Sequence, residues 1–140
     1  KEYGEERLAS RIAKSIKEMT DMNTIPDLRE AIRRCTPPNH RDRTFARIFQ
    51  ALRIAVNGEL DILQQFLTKF IDFLHPGGRI VIISYHSLED RLVKHSFKEL
   101  ASGGTLDILT KRPITAAAEE RRINRRAGSA KLRAAVKMAL

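Results

Sequence analysis

The stretch from Gly77 to Arg91, Gly-Gly-Arg-Ile-Val-Ile-Ile-Ser-Tyr-His-Ser-Leu-Glu-Asp-Arg, limits the fold more tightly than any other part of the chain. The paired glycines make a turn, and Ile80 to Ile83 form an unbroken β-branched run. β-Branched side chains are stiff at χ1 and suit a pleated strand. A run without polar alternation predicts a strand covered on both faces, as in a parallel sheet. Beyond Ser84 the pattern turns polar and then helical, with Leu88, Leu92 and Val93 at helix spacing, followed by Phe97 and Leu100. Ser87 is the expected N-cap, with Asp90 three residues on as a weaker version of the capping-box partner. Such a strand-turn-helix places Ser84 to Ser87 at the carboxyl end of a strand, where open α/β sheets hold their ligands. An ordinary strand-to-helix connection has the same pattern, and the residues alone leave both readings open.

Upstream of this stretch the periodicity is helical. Leu8, Ala9, Ile12, Ala13, Ile16 and Met19 fall on one face of a helix over residues 4–19, opposite Arg7, Arg11, Lys14 and Glu18. Thr24 caps a second helix with Pro26 in its first turn, and Leu28, Ile32 and Cys35 form its stripe. Thr36-Pro37-Pro38 ends it. A third helix, residues 43–57, carries Phe45, Ile48, Phe49, Leu52 and Val56 on one face. Arg43, Arg47, Gln50 and Asn57 gather on the other around Ile54, with Arg53 at the edge. Arginine and amide groups in one stripe suit contact with phosphates and base edges, or a helix buried on two sides with its polar groups satisfied inside the protein. After Gly58, Leu60, Leu63, Leu67, Phe70, Ile71 and Leu74 define a fourth helix over residues 59–74 that runs into His75-Pro76-Gly77-Gly78.

Downstream the signals weaken. Leu106, Ile108 and Thr110 suggest a short strand, and Lys111-Arg112-Pro113 ends it. Residues 116–124 are charged and helical in character, and Arg121, Arg122, Arg125 and Arg126 make a dense basic patch. Leu132, Ala134 and Val136 alternate with Lys131, Arg133 and Lys137, the pattern of a half-exposed edge strand.

The 26 lysines and arginines against 17 acidic residues give a net charge of +9, which favours a polyanionic partner, most often nucleic acid. No apolar run approaches the ~20 residues of a membrane span, so no membrane partner is expected. Cys35 is the single cysteine, which excludes an internal disulfide and fits a reducing cytoplasm. The chain opens on Lys1 without an export signal, and a longer parent sequence is expected. His40, His75, His86, His95 and Cys35 lack the paired spacings of structural zinc, so no metal site is expected. None of the seven glycines follows a strong strand and opens a helix, and there is no phosphate-binding Walker sequence, so no cofactor cradle is expected either.

Several segments together resemble the bacterial small-subunit rRNA cytosine-N4 methyltransferase family, almost from end to end. They are Tyr3-Gly4-Glu5-Glu6-Arg7 with Ile12-Ala13, and Phe49-Gln50-Ala51-Leu52-Arg53-Ile54 continuing through Val56-Asn57 to Glu59-Leu60. They continue with Pro76-Gly77-Gly78-Arg79, Ser84-Tyr85-His86-Ser87-Leu88-Glu89-Asp90-Arg91 and Val93-Lys94. The last are Thr110-Lys111-Arg112-Pro113-Ile114-Thr115, Asn124, Arg126-Ala127 and Ser129-Ala130-Lys131-Leu132-Arg133. Tyr85 stands where the family usually has Phe. Family members begin with a half that carries the Gly-rich S-adenosylmethionine loop, and that half is missing from these residues.

The resemblance implies an α/β fold, the second half of a Rossmann-like class I methyltransferase core (residues 58–140) preceded by an all-helical, RNA-recognising insert domain (residues 1–57). It implies S-adenosylmethionine-dependent methylation of a cytidine N4 in small-subunit rRNA, with the cofactor site in the missing half and this chain inactive alone. Ser84, His86, Ser87 and Asp90 are then the candidates lining the cytidine site. Arg47, Gln50, Arg53, Asn57, Arg91, Arg126, Lys131 and Arg133 are the RNA-binding candidates, and Arg47, Gln50, Arg53 and Asn57 could instead brace the insert against the core. The implied partner is the small ribosomal subunit, and an uncovered sheet edge would favour self-association. The other readings are a non-catalytic RNA-binding or ribosome-assembly module and a basic helical domain bound to protein.

Overall fold

In the computed structural model, which describes residues 2–139, the chain divides into one unit ending at Glu59 and a second beginning at Leu60. Among the described residues the elements of the first unit are helical: α1 (Ala9–Glu18), α2 (Ile25–Cys35) and α3 (Arg41–Asn57). Thr24 caps α2 as its sequence predicts, in a capping box with Asp27: the Asp27 amide donates to the Thr24 hydroxyl, and the Asp27 carboxylate accepts from the Thr24 amide at 2.8 Å. The Thr24 hydroxyl also donates to the Asp27 carboxylate at 2.6 Å, and this bond first, then that from the Thr24 amide, holds the Asp27 carboxyl below its ordinary value. Gly58 ends α3 at φ 61°, a left-handed cap that glycine adopts without penalty.

Two expectations for this unit need correction. Helix α1 starts at Ala9 rather than near Gly4, because Glu5 takes φ 47° and Glu6 folds inward to accept the Leu8 amide at 3.0 Å. Gly4 lies against α3 so closely that an added Cβ would stand 2.9 Å from the Arg47 carbonyl. Helix α3 does not bury the face richest in apolar residues. Thr44 and Ile54 are buried, whereas Leu52 and Val56 are exposed. Phe45 is half-buried, with the Arg29 guanidinium 4.9 Å above its ring. Helix periodicity set the two faces correctly, but it could not say which one the neighbouring helices would cover.

The second unit contains most of α4 (Glu59–Lys69), then β1 (Arg79–Ser84), α5 (Ser87–Ser102), β2 (Leu106–Ile108), β3 (Ile114–Thr115), α6 (Ala118–Ile123) and β4 (Lys131–Lys137). A 3-10 turn, Phe70–Phe73, completes the apolar stretch that the sequence reads as one helix. The architecture is α/β, but all the strand pairs among the described residues are antiparallel, which corrects the parallel expectation. The strand order is β1-β4-β2, with β3 also on β4, so β4 is the central strand and not an edge. Its faces are inverted as well: Arg133 and Ala135 are buried, whereas Leu132, Ala134 and Val136 are only partly covered. The expectation of a doubly covered β1 fails too. Ile80 and Ile82 pack on the core, whereas Val81 and Ile83 are 56% and 52% exposed. β-Branched character reports strand geometry, and what covers each face is decided by distant segments.

Leu67, Phe70, Val93, Phe97, Leu106 and Ala135 form the core of this unit, with the Phe70 and Phe97 ring centroids 6.0 Å apart. Burying each of the larger side chains contributes about 1.5–3 kcal/mol. The Gly77-Gly78 turn locks the far end of the β1–β4 ladder. The Gly77 amide donates to the Lys137 carbonyl and the Lys137 amide to the Gly78 carbonyl, both at 2.8 Å. The Lys137 ammonium then donates to the Ile71 and Leu74 carbonyls, tying that end of the sheet to the preceding 3-10 turn. Gly77 sits at φ 78°, and a Cβ on Gly78 would lie 2.7 Å from the His75 carbonyl oxygen.

These two glycines therefore respond differently to alanine. Gly77→Ala should cost about 1–2 kcal/mol for a left-handed alanine, and Gly78→Ala should cost more because backbone must shift. Urea midpoints of the two variants check the order; equal, negligible losses would remove the constraint.

Candidate functional site: the β1–α5 loop

The loop from Ser84 to Ser87 joins the end of β1 to the start of α5. Ser84 is buried as the last residue of β1, in register with Lys131. Tyr85 projects, 54% exposed, and Ser87 is exposed at the first position of α5. The N-cap is His86 and not Ser87, one residue earlier than expected. The Glu89 amide donates to His86 Nδ1 at 3.3 Å, and Glu89 Oε2 accepts from the Tyr85 and His86 amides at 2.8 and 3.2 Å. The partner is thus Glu89, the acidic residue three places after His86, and this glutamate is the site residue that sequence reasoning missed. The signal was present as His-x-x-Glu, but serine outranks histidine as a cap and drew the frame one position too far.

This capping box fixes the chemistry open to His86. Its side chain is only 8% exposed, and Nε2 is buried 3.3 Å from Glu89 Oε1. Because Nδ1 accepts the Glu89 amide, the neutral ring carries its proton on Nε2. In this arrangement the ring orients the loop.

Asp90, in the first turn of α5, faces the sheet. Arg133 Nε donates to Asp90 Oδ1 at 2.7 Å and Arg133 Nη2 to Oδ2 at 3.3 Å, with the Lys131 ammonium 3.5 Å from Oδ2. Both Asp90 and Arg133 are buried. Burial alone would raise the Asp90 carboxyl, but the hydrogen bonds and charge of Arg133, with Lys131 behind, hold it below its ordinary value. The pair pins α5 to the central strand. At the other side of the sheet, Thr110 completes an irregular edge: the Ala134 amide donates to its hydroxyl at 2.9 Å.

The structure thus brings Ser84, His86, Ser87 and Asp90 together, with Asp90 turned inward. The RNA-binding candidates differ in what their side chains contact. Arg133 is committed to Asp90, Arg47 lies 3.5 Å from the buried Glu6, and Arg53 makes a two-pronged contact with Glu59 at 2.8 and 3.0 Å. Asn57 donates to the same Glu59 at 3.0 Å, and Gln50 is half-buried on α3. Arg91 and Arg126 are exposed, and Lys131 is partly so.

The sequence model of the MraW methylase family matches residues 1–138. This chain belongs to that family. A relative from Kosmotoga olearia, named ribosomal RNA small subunit methyltransferase H, is 55% identical over 139 residues, covering 96% of this chain and 46% of the relative. Proteins of the same name from Synechocystis sp. and Trichormus variabilis are 50% and 51% identical over 140 residues, each covering 98% of this chain and 45% of the relative. The chain therefore spans about half the length of the curated relatives it matches. No helix among the described residues is long and apolar enough to cross a membrane.

The family implies S-adenosylmethionine, and the β1–α5 turn does not fit it. The β1–α5 turn is built from Tyr85, His86 and Ser87, all with side chains, and the left-handed Gly77 lies before β1. Backbone cannot approach a nucleotide there as it does at a glycine-rich turn.

Removing the carboxylate that holds Arg133 gives the sharpest stability test. Asp90→Ala should cost about 3 kcal/mol at pH 7, since it strands a buried guanidinium. The Asp90 carboxyl is depressed in the folded state, so its contribution is complete above the unfolded value near 3.9 and is lost as pH falls below it. The difference in urea midpoint between parent and variant should narrow below about pH 4. A constant difference down to pH 2 would exclude the ion pair as its source.

Proposed function

We propose that this chain is the substrate-side part of an enzyme that methylates the N4 amino group of a cytidine in small-subunit rRNA, using S-adenosylmethionine held by residues outside this chain. The observation that carries the reading is the rigid β1–α5 loop within a near end-to-end family match. The finer fold assignment belongs to the same proposal: an all-helical insert, residues 1–57, followed by the second half of a Rossmann-like core. Val81 and Ile83 leave one face of β1 bare, and a preceding half-sheet would cover it. Alone, the chain is inactive, and its open edge is a place for self-association. A cytoplasmic location follows from the substrate.

Methyl transfer to an amine depends mainly on positioning. Ser84, Ser87 and the projecting Tyr85 ring line the cytidine side, with the ring as a stacking face for a base that has left its stack. His86 and Asp90 are positioning residues, acting through the capping box and through Arg133. The exposed arginines, Arg91 and Arg126 among them, supply salt-dependent attraction to RNA. A β1–α5 turn without glycine also suits a non-catalytic RNA-binding or assembly module, and activity separates the two.

In the complete enzyme, His86→Ala should lower turnover at least tenfold, while His86→Asn, which restores a side-chain cap, should recover most of it. An unchanged rate for the folded alanine variant would remove His86 from the mechanism, and equal loss in both variants would make the imidazole itself essential.

A further inference from the structure

The helical unit contains a cavity of about 430 Å³ that takes in two arginines of the α3 stripe, Arg43 and Arg47, and others that the stripe does not include. Arg7, Arg11, His40, Arg43 and Arg47 line it, with Glu6 and Thr44. Arg7 follows the inward turn at Glu6, Arg11 lies in the first turn of α1, and Arg43 and Arg47 are one turn apart on α3. Four arginines and a single carboxylate thus line one concavity. That carboxylate is already occupied: Glu6 accepts the Leu8 amide and lies 3.5 Å from Arg47, and its side chain is 5% exposed. Glu6 Oε2 is buried and has no hydrogen-bond donor among the described residues, so Arg47 is its charge partner.

Arg7, Arg11 and Arg43 are different. Their side chains are exposed at the cavity, and among the described residues their guanidiniums have no carboxylate within ion-pair distance. The other arginines of this unit have contacts of their own: Arg53 on Glu59, Arg33 and Arg34 near Glu30, Arg29 over Phe45 and Arg41 on the Thr36 carbonyl. Three unpaired guanidiniums converging on one concavity repel each other and gain most when an anion enters between them. Arginine forks match phosphate oxygens two at a time, and the cavity falls in the size range of ligand sites, about 300–1,000 Å³.

We infer that this cavity is a seat for the phosphodiester backbone of single-stranded RNA, with Arg7, Arg11 and Arg43 as its phosphate-binding groups and Glu6 holding Arg47 as the fixed wall behind them. Only the choice of RNA over other polyanions rests on the function proposed above; the seat for phosphate rests on the side chains themselves. Buried Thr44 and the Gly4 contact keep the backbone around the cavity in place, so the site is set before the strand arrives.

The test is fluorescence anisotropy of the 140-residue chain with a labelled single-stranded RNA oligonucleotide, titrated at several salt concentrations. The variant Arg7→Gln/Arg11→Gln/Arg43→Gln changes only exposed side chains, and circular dichroism verifies its fold. It should bind at least tenfold more weakly at low salt, and the slope of log K against log salt should fall by about 2. A variant with the same charge loss outside the cavity, Lys14→Gln/Lys17→Gln/Lys69→Gln, should keep the slope within a few tenths of the parent. Equal losses in the two variants, or an unchanged slope in the arginine variant, would overturn the seat while leaving RNA binding intact. No RNA binding by the parent chain would overturn the seat and the RNA reading together.

Discussion

The ion pair between Asp90 and Arg133 is the interaction on which the second unit depends. Burying two charges costs several kcal/mol per ion, and only close, multiply hydrogen-bonded geometry offsets it. Here two guanidinium nitrogens meet two carboxylate oxygens, and Lys131 adds a second positive charge. The pair joins the first turn of α5 to the central strand across 43 residues of sequence. It also determines where the β1–α5 loop lies. The loop leaves β1 at Ser84, opposite Lys131, and enters α5 three residues before Asp90, so both ends are referenced to the same short stretch of β4. The His86–Glu89 capping box then removes the remaining freedom of the turn.

Local chemistry was legible in the sequence, and long-range partnership was not. Thr24, Pro26, Gly58 and the Pro-Gly-Gly turn announce helix starts and stops because caps and left-handed residues act within a few positions. The α/β character and the place of the β1–α5 loop follow from the same short-range signals. The role of β4 could not be read this way. Its alternation of Leu132, Ala134 and Val136 points to the face that is less covered, because the buried face carries Arg133, and arginine looks like a surface residue until its partner 43 positions away is known. The capping frame at His86 was hidden by a better-ranked serine beside it. Val81 and Ile83 read as buried because β-branched strands usually are, and the described residues leave them about half exposed.

The arginines divide by whether they have a partner. Arg133, Arg47 and Arg53 look in sequence like nucleic-acid contacts, but in the fold they hold Asp90, Glu6 and Glu59. What remains for a polyanion is the exposed set: Arg7, Arg11 and Arg43 around the helical cavity, and Arg121, Arg122, Arg125 and Arg126 on and beside α6. A net charge of +9 is therefore not spread evenly in effect, since part of it braces the fold through ion pairs and the rest faces solvent.

The central claim is that this chain contributes a rigid, substrate-side wall and takes part in chemistry only when joined to the segment that holds the methyl donor. The most direct measurement is transfer of labelled methyl from S-adenosylmethionine to small ribosomal subunits, comparing this chain alone with the full-length protein that contains it. The account predicts N4-methylcytidine in the hydrolysed rRNA for the full-length protein and no incorporation for the chain alone. Incorporation by the chain alone, or label on any rRNA position other than a cytidine N4, would contradict it.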